Sequence, residues 1–113
     1  MSLNLLYLDP GNSVTNLYAV VYNSTTIRIT WMPPSKPYGH IKYRLYQQNT
    51  SFPVNIVNIE SALVYDGGST TFDSSNLEEN HVYYFLVIPY NIKYKLDGPK
   101  SFTNGTTHED GKS

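Results

Sequence analysis

The sequence contains no cysteine, and only 15% of its 113 residues carry a charged side chain. The missing thiols exclude a disulfide framework, a thiol nucleophile and zinc sites built on cysteine. A formal net charge of −1 gives no global field that would attract nucleic acid or an anionic membrane. No run of about 20 apolar residues is present, so we expect no direct membrane insertion by this chain.

What the sequence has instead is aromatic residues, which make up 14% of the chain and include eleven tyrosines. A length of 113 residues suffices for one hydrophobic core and is too short for two. High aromatic content with little charge is typical of an all-β domain rather than a charge-rich helical one.

Alternating patterns predict the strands. The segment that begins at Val82 is rich in aromatic and β-branched residues and stops at Pro89 and Asn91, which indicates a central strand. Residues 25–31 and 41–46 alternate between apolar and polar types, as half-buried strands do. With further extended segments at 14–22, 54–59 continued by 62–65, 70–74 and 99–107, we predict a seven-stranded antiparallel sandwich of the immunoglobulin-like class.

Several landmarks occur in a fixed order along the chain. They are Leu17, Trp31, Pro34, Gly39, Tyr43, Leu77, Tyr83-x-Phe85-x-Val87, Asn91 and Gly98-Pro99-x-Ser101. In this order they resemble a fibronectin type III domain over residues 13–107, preceded by an extension or linker at 1–12 and followed by a polar tail at 108–113. Val64-Tyr65-Asp66-Gly67 and Pro89-Tyr90-Asn91 look most like ectodomain repeats of receptor tyrosine phosphatases and similar cell-surface receptors.

The resemblance implies two packed sheets, A-B-E against C-C′-F-G. Leu77 and Tyr83 are spaced as at a corner between the sheets, where the tyrosine hydroxyl binds the backbone of the turn. Ser74 stands where the family usually places an inward aliphatic residue, which predicts loose packing there. The expected structural core is Leu17, Ile27, Ile29, Trp31, Ile41, Tyr43, Leu45, Leu77, Tyr83, Phe85 and Val87.

No residue set predicts chemistry, so we expect no catalytic, cofactor-binding or metal site and no enzymatic activity in the domain itself. The three histidines are isolated from one another in a loop, a turn and a tail, without metal-ligand spacing. Gly67-Gly68 lacks the lysine and the helix of a phosphate-binding loop. The parent protein could still carry an enzymatic domain such as a tyrosine phosphatase.

Three sequons are present, at Asn23, Asn49 and Asn104. Each is an acceptor for N-glycosylation if the chain passes through a eukaryotic secretory route. On the sandwich topology, Asn23 and Asn49 share one pole, and the loops 33–40, 66–69 and 91–98 share the opposite pole. We therefore expect a glycoprotein whose second pole is free of glycans.

The outer face of the C-F-G sheet is the candidate protein interface. Since Tyr83, Phe85 and Val87 point inward, the alternate residues of that strand point outward. An exposed apolar stripe with a basic rim is typical of a protein interface. The predicted interface is Lys42, Arg44, Tyr46, Tyr84, Leu86 and Ile88. In the alternative, the inserted segment 54–59 folds over the stripe and buries it.

These patterns favour a non-catalytic extracellular module of a cell-surface receptor or adhesion protein, or of a secreted protein. It would be a spacer that contacts neighbouring domains of the same chain and a possible protein ligand, with no nucleic-acid partner. The alternative is an accessory domain of a secreted carbohydrate-active enzyme, whose exposed aromatics would stack on sugars. A cytosolic repeat, in which a glycan on any sequon would disturb folding, is the third possibility.

Overall fold

The computed structural model describes residues 13–35, 39–53 and 58–109. The expectations for the extension 1–12, for residues 54–57 of the inserted segment and for 110–113 of the tail lie outside the described residues. The elements in chain order are β1 (Thr15–Val21), β2 (Ile27–Met32), β3 (Ile41–Gln48), a 3-10 helix (Glu60–Ala62), β4 (Leu63–Gly67), β5 (Thr71–Ser74), β6 (Val82–Asn91), β7 (Leu96–Asp97) and β8 (Ser101–Thr106).

The strands form two antiparallel sheets. The smaller sheet has the order β1-β2-β5, and the larger has the order β4-β3-β6-β7, with β8 also paired to β6. The predicted all-β sandwich and its division into A-B-E and C-C′-F-G are confirmed. The extra strand is the short β7, whose Leu96 and Asp97 pair with Asn91 and Tyr90.

β6 runs through Pro89, which does not stop the strand as expected, and ends at Asn91. The carbonyl of Pro89 accepts a hydrogen bond of 2.7 Å from the N–H of Gly98, on the side where β7 gives way to β8. The two polar backbone groups of a strand residue point to the same side. The N–H that proline lacks would therefore point towards this break, so its absence removes no hydrogen bond from the ladder between β6 and β3.

The corner between β5 and β6 is fixed by Tyr83. Its hydroxyl accepts a hydrogen bond of 2.8 Å from the N–H of Glu78, as the sequence predicts. The hydroxyl of Thr107 donates to the carbonyl of Glu78 at 2.6 Å and accepts from the N–H of His81 at 3.0 Å. Asn76 and Asn80 take left-handed backbone angles, φ 58° and 51°, which asparagine tolerates better than most residues.

The core fills the space between the sheets. Trp31 packs edge-on against Tyr43, with ring centroids 5.7 Å apart. The buried members of this cluster are Val14, Ile27, Ile29, Trp31, Tyr43, Leu45, Leu77, Tyr83, Phe85 and Val87. Leu17 and Ile41, which were predicted as core, are partly buried and pack against it.

Candidate functional site: the outer face of the larger sheet

The outward residues of β3 and β6 form a second hydrophobic cluster. Tyr46 lies opposite Leu86 in the β3–β6 ladder, and Ile88 is two residues further along β6. The exposed fractions of Tyr46, Leu86 and Ile88 are only 7%, 0% and 5%. The expectation that Tyr84, Leu86 and Ile88 form an exposed stripe is therefore wrong for Leu86 and Ile88, whereas Tyr84 is half-buried.

The cover comes from the chain between β3 and β4. Phe52, Ile59 and Ala62 pack against the cluster from outside. A 3-10 turn places Ala62, whose N–H donates to the carbonyl of Ile59 at 2.8 Å. Removing this apolar face from water favours the covered arrangement. Of the segment 54–59 that was expected to fold over the stripe, Ile59 does so, whereas Phe52 and Ala62 flank that segment and residues 54–57 lie outside the described part.

The part of the predicted interface that stays accessible is polar. Asp66 lies between two cations, with its carboxylate 3.1 Å from Lys42 Nζ and 3.6 Å from Arg44 Nε. Arg44 also approaches Asp97, at 3.6 Å. The side chains of Lys42, Arg44 and Asp66 are about one-third exposed, and two acids balance the two bases. The expected basic rim is thus a nearly neutral ion-pair network.

Tyr90 completes this network and was not among the predicted interface residues. The guanidinium of Arg44 lies 4.4 Å from the centre of its ring, and Lys42 Nζ lies 5.4 Å from it. Both distances permit cation–π attraction. The alternation along β6 predicts that Tyr90 faces outward, because Tyr90 is two residues after the outward Ile88. The expected stop at Pro89 left Tyr90 outside this alternation. We call Lys42, Arg44, Asp66, Tyr90 and Asp97 the charged face.

Towards the other end of the same sheet lies a cleft of about 200 Å³. Its walls include Ser51, Phe52, Tyr84, Phe102 and Asn104. The rings of Phe52 and Phe102 are 6.1 Å apart, and Phe102 is 55% exposed. The sequence pattern does not single out Phe102, because β8 is only weakly apolar and its alternation is correspondingly weak.

The three sequons lie towards one end of the sandwich. Asn49 directly follows β3, whose last residue Gln48 pairs with Tyr84, and Tyr84 pairs in turn with Asn104. The carbonyl of Asn23 accepts from the N–H of His108, which brings the β1–β2 turn to the end of β8. Asn49 and Asn104 are exposed.

Asn23 differs from the other two sequon asparagines. Its side-chain oxygen accepts hydrogen bonds from the backbone N–H of Thr25 at 2.9 Å and from the Thr25 hydroxyl at 3.3 Å. The residue is half-buried. Its side chain thus serves as a local turn cap.

The opposite end carries the loops. The N–H of Ile92 donates to the carbonyl of His40 at 3.1 Å, which joins the two loops that flank β3 and β6. Gly39 takes φ 84°, a left-handed angle that favours glycine. Ile92 and Tyr94, in the β6–β7 turn, are 48% and 42% exposed. Of the loop 33–40, residues 36–38 lie outside the described part.

The histidines take up separate positions. His81 pairs with Glu78 at 3.0 Å on the corner, whereas His40 and His108 contribute backbone hydrogen bonds elsewhere. Within the described residues, no group of three or more histidines, cysteines or acids could hold a metal ion. Over the same residues, the chain has no helix long and apolar enough to cross a bilayer.

Solved structures with this architecture were found, whereas no family model and no curated protein matches the sequence. The rat CD45 extracellular region, domains d3 and d4, superposes with a TM-score of 0.66 at 19% identity, covering 87% of this chain and 51% of that one. A fibronectin type III domain of human fibronectin type III domain containing protein 3 gives 0.68 at 21%, covering 87% and 86%. A fragment of titin gives 0.66 at 18%, covering 87% and 32%.

These similarities show the fold. The chain has the fibronectin type III fold, and it spans about half of the rat CD45 fragment that it matches. Identities near 20% carry no residue roles across, so function must be argued from this chain's own surfaces.

Proposed function

We propose that this fibronectin type III fold serves as a non-catalytic extracellular module of a cell-surface receptor or adhesion protein. It spaces its neighbouring domains and binds a protein partner. The observation that carries the proposal is the position of the sequons. All three asparagines lie towards one end, and Asn49 and Asn104 are exposed. Glycans there would leave the charged face and the β6–β7 turn uncovered.

The spacer role is supported by where the chain enters and leaves the sandwich. The Thr15 hydroxyl donates to the carbonyl of Pro33 at 3.2 Å, so β1 begins at the loop end. Thr107 and His108 lie at the sequon end, against His81 and Asn23. A domain before this one and a domain after it would thus be held at opposite ends. The likeness to the rat CD45 extracellular region agrees with such a place in an ectodomain.

The partner-binding role is assigned to the charged face together with Ile92 and Tyr94. Tyr90 of the charged face is two residues before Ile92, at the same end of the sheet. Arginine and tyrosine are enriched at the centres of protein interfaces, and an exposed isoleucine and tyrosine add apolar area beside them. This site keeps Lys42 and Arg44 of the predicted interface and replaces its buried members Tyr46, Leu86 and Ile88. Tyr84, the remaining member, lines the cleft instead.

The location is tested on cells that make the protein naturally. An antibody raised against the domain should label intact cells, and mass spectrometry of the isolated protein should find glycans on Asn49 and Asn104. Labelling that requires permeabilisation, together with unmodified sequons, would show that the module works inside the cell.

The partner site is tested by a binding screen of the purified domain against cell-surface and secreted proteins. A partner should bind the parent domain and lose at least tenfold in affinity with Arg44→Glu or Tyr90→Ser. The matched control is Arg28→Glu on the other sheet, because Arg28 also pairs with an aspartate, Asp73, and lies 4.9 Å from a tyrosine ring, Tyr22. Equal losses in test and control variants would reject the assigned face.

A second candidate function is an accessory domain of a secreted carbohydrate-active enzyme. The aromatic cleft at Phe52, Tyr84 and Phe102 favours it, since aromatic rings stack on sugars. Retention of the domain on a polysaccharide column, lost in Tyr84→Ala, would support this function against the receptor proposal.

A further inference from the structure

We propose that the cleft formed by Phe52, Tyr84 and Phe102 is the seat of the first N-acetylglucosamine of a glycan attached to Asn104. The glycan would thus be a part of the packed domain and not only a surface decoration. This inference rests on the extracellular location proposed above, and its ligand is a modification of this chain's own residue.

Alternate side chains of β8 face the solvent. The segment Phe102-Thr103-Asn104-Gly105-Thr106 is a strand in which Phe102, Asn104 and Thr106 are exposed and the residues between them are half-buried. Phe102 and Asn104 therefore share the outer face, about 7 Å apart along the strand. Thr106, the sequon residue needed for attachment, projects from the same face.

Asn104 has an aromatic neighbour on the adjacent strand β6. Asn104 lies directly opposite Tyr84, and Phe102 lies opposite Leu86, which is fully buried beneath the cover. A sugar on Asn104 would start between the rings of Tyr84 and Phe102. Among the described strands β8 pairs with β6 alone, and Asn104 is exposed to solvent.

The cleft has the size and the chemistry of a site for one sugar ring. Its volume of about 200 Å³ is below the roughly 300–1,000 Å³ of sites for whole small-molecule ligands. It suits one ring. Phe102 leaves more than half of its surface in water although it contacts Phe52. The C–H groups on one face of a pyranose ring carry partial positive charge and fit the negative face of an aromatic ring.

The covalent bond to Asn104 tethers the sugar next to the cleft. A free monosaccharide would bind such a shallow apolar site weakly. A sugar joined covalently to Asn104 is held beside the cleft at a high effective concentration, so a weak stacking contact suffices to dock it. Asn49 is also near the cleft, because Ser51, two residues later, lines its wall. The residue two positions before Asn49 is Gln47, however, so this sequon has no aromatic ring placed as Phe102 is placed before Asn104.

The test uses the full chain secreted from eukaryotic cells and trimmed enzymatically to a single N-acetylglucosamine per site, compared with the unglycosylated chain made in bacteria. Phe102→Thr removes the aromatic wall, and Thr106→Val removes the glycan while keeping a β-branched residue in the strand. Tyr18→Thr is the matched control, because Tyr18 is a 50% exposed aromatic on the outer face of the other sheet.

We expect the trimmed parent to melt about 4 °C above the unglycosylated chain, the size of shift that one stacking contact gives in a domain of this length. The difference should disappear in Phe102→Thr and in Thr106→Val and persist in Tyr18→Thr. In the NMR spectrum, protons of the Asn104 sugar should move upfield by ring-current shifts and show contacts to the Phe102 ring.

The inference is overturned if the Asn104 sugar shows no upfield shift, or if Phe102→Thr keeps the full difference in melting temperature. An empty Asn104 beside an occupied Asn49 overturns it as well, and so does a dimer in which a second copy fills the cleft. These results are separate from the location of the natural protein, which the labelling of intact cells decides.

Discussion

The hydroxyl of Ser74 on β5 donates a hydrogen bond to the side-chain oxygen of Gln47 on β3, and so joins the two sheets through their shared interior. Ser74 is 5% exposed and Gln47 is half-buried. The expectation of loose packing at Ser74 is therefore corrected. A polar pair occupies the place of an aliphatic contact, and each partner satisfies the other.

The first prediction concerns this pair. Ser74→Ala removes the donor and leaves the Gln47 amide without it, so we expect a loss of about 1–2 kcal/mol in the free energy of unfolding. The double variant Ser74→Ala, Gln47→Met replaces both partners by apolar groups of similar shape and should recover most of the loss. Urea denaturation of the two variants and the parent measures this. Additive losses would mean that the bond contributes nothing.

The second prediction tests the covered cluster. Leu86→Ala should cost about 2–5 kcal/mol, as expected for a fully buried leucine whose cavity cannot collapse completely. Leu63→Ala is the matched control, because Leu63 is 39% exposed and its truncation should cost far less. Thermal and urea unfolding measure both variants. Equal, small effects would restore the picture of an exposed stripe.

The third prediction concerns the corner. Tyr83→Phe keeps the packed ring and removes the hydroxyl that accepts from the N–H of Glu78. We expect a loss of about 1–2 kcal/mol, because the backbone N–H loses its partner in a part-buried turn. Tyr18→Phe, at an exposed position, should be nearly neutral. Amide hydrogen exchange at Glu78 should also become faster in Tyr83→Phe, and unchanged exchange would argue that this hydrogen bond is unimportant.

The fourth prediction is an alkaline pH dependence. Burial raises the pKa of Tyr43, and burial is also the main cause of the raised pKa of Tyr46. In the unfolded chain both phenols lose their proton near pH 10, whereas the folded chain still holds it. The stability that they contribute is therefore complete below about pH 10 and is lost as the pH rises through the higher folded-state pKa values.

Tyrosinate absorbance and circular dichroism measured across this range check the fourth prediction. Part of the absorbance change should coincide with unfolding, and Tyr46→Phe should make the fall in stability above pH 10 less steep. A smooth titration of all eleven tyrosines before any unfolding would contradict it.

Much of the fold follows from local patterns. Alternation in β2 and β3 separates the inward Ile27, Ile29 and Trp31 from their polar neighbours, because a strand turns successive side chains to opposite faces. The corner at Tyr83 is equally readable, since the six-residue spacing and the turn residues lie in one short segment. Whether a proline ends a strand is not a local property: β6 continues through Pro89 because the missing N–H faces the break between β7 and β8 and not the ladder with β3.

By itself, then, the sequence determined the sandwich, the inward faces of its strands and the positions of the sequons, all of which depend on residues close together along the chain. Only the tertiary structure decided that Phe52, Ile59 and Ala62 cover Leu86 and Ile88, that Asp66 and Asp97 neutralise Arg44, and that Phe102 stands beside Asn104 and Tyr84. Side-chain alternation says which face a residue takes. It does not say what distant segment packs on that face, because that depends on the total apolar area that the folded chain can remove from water.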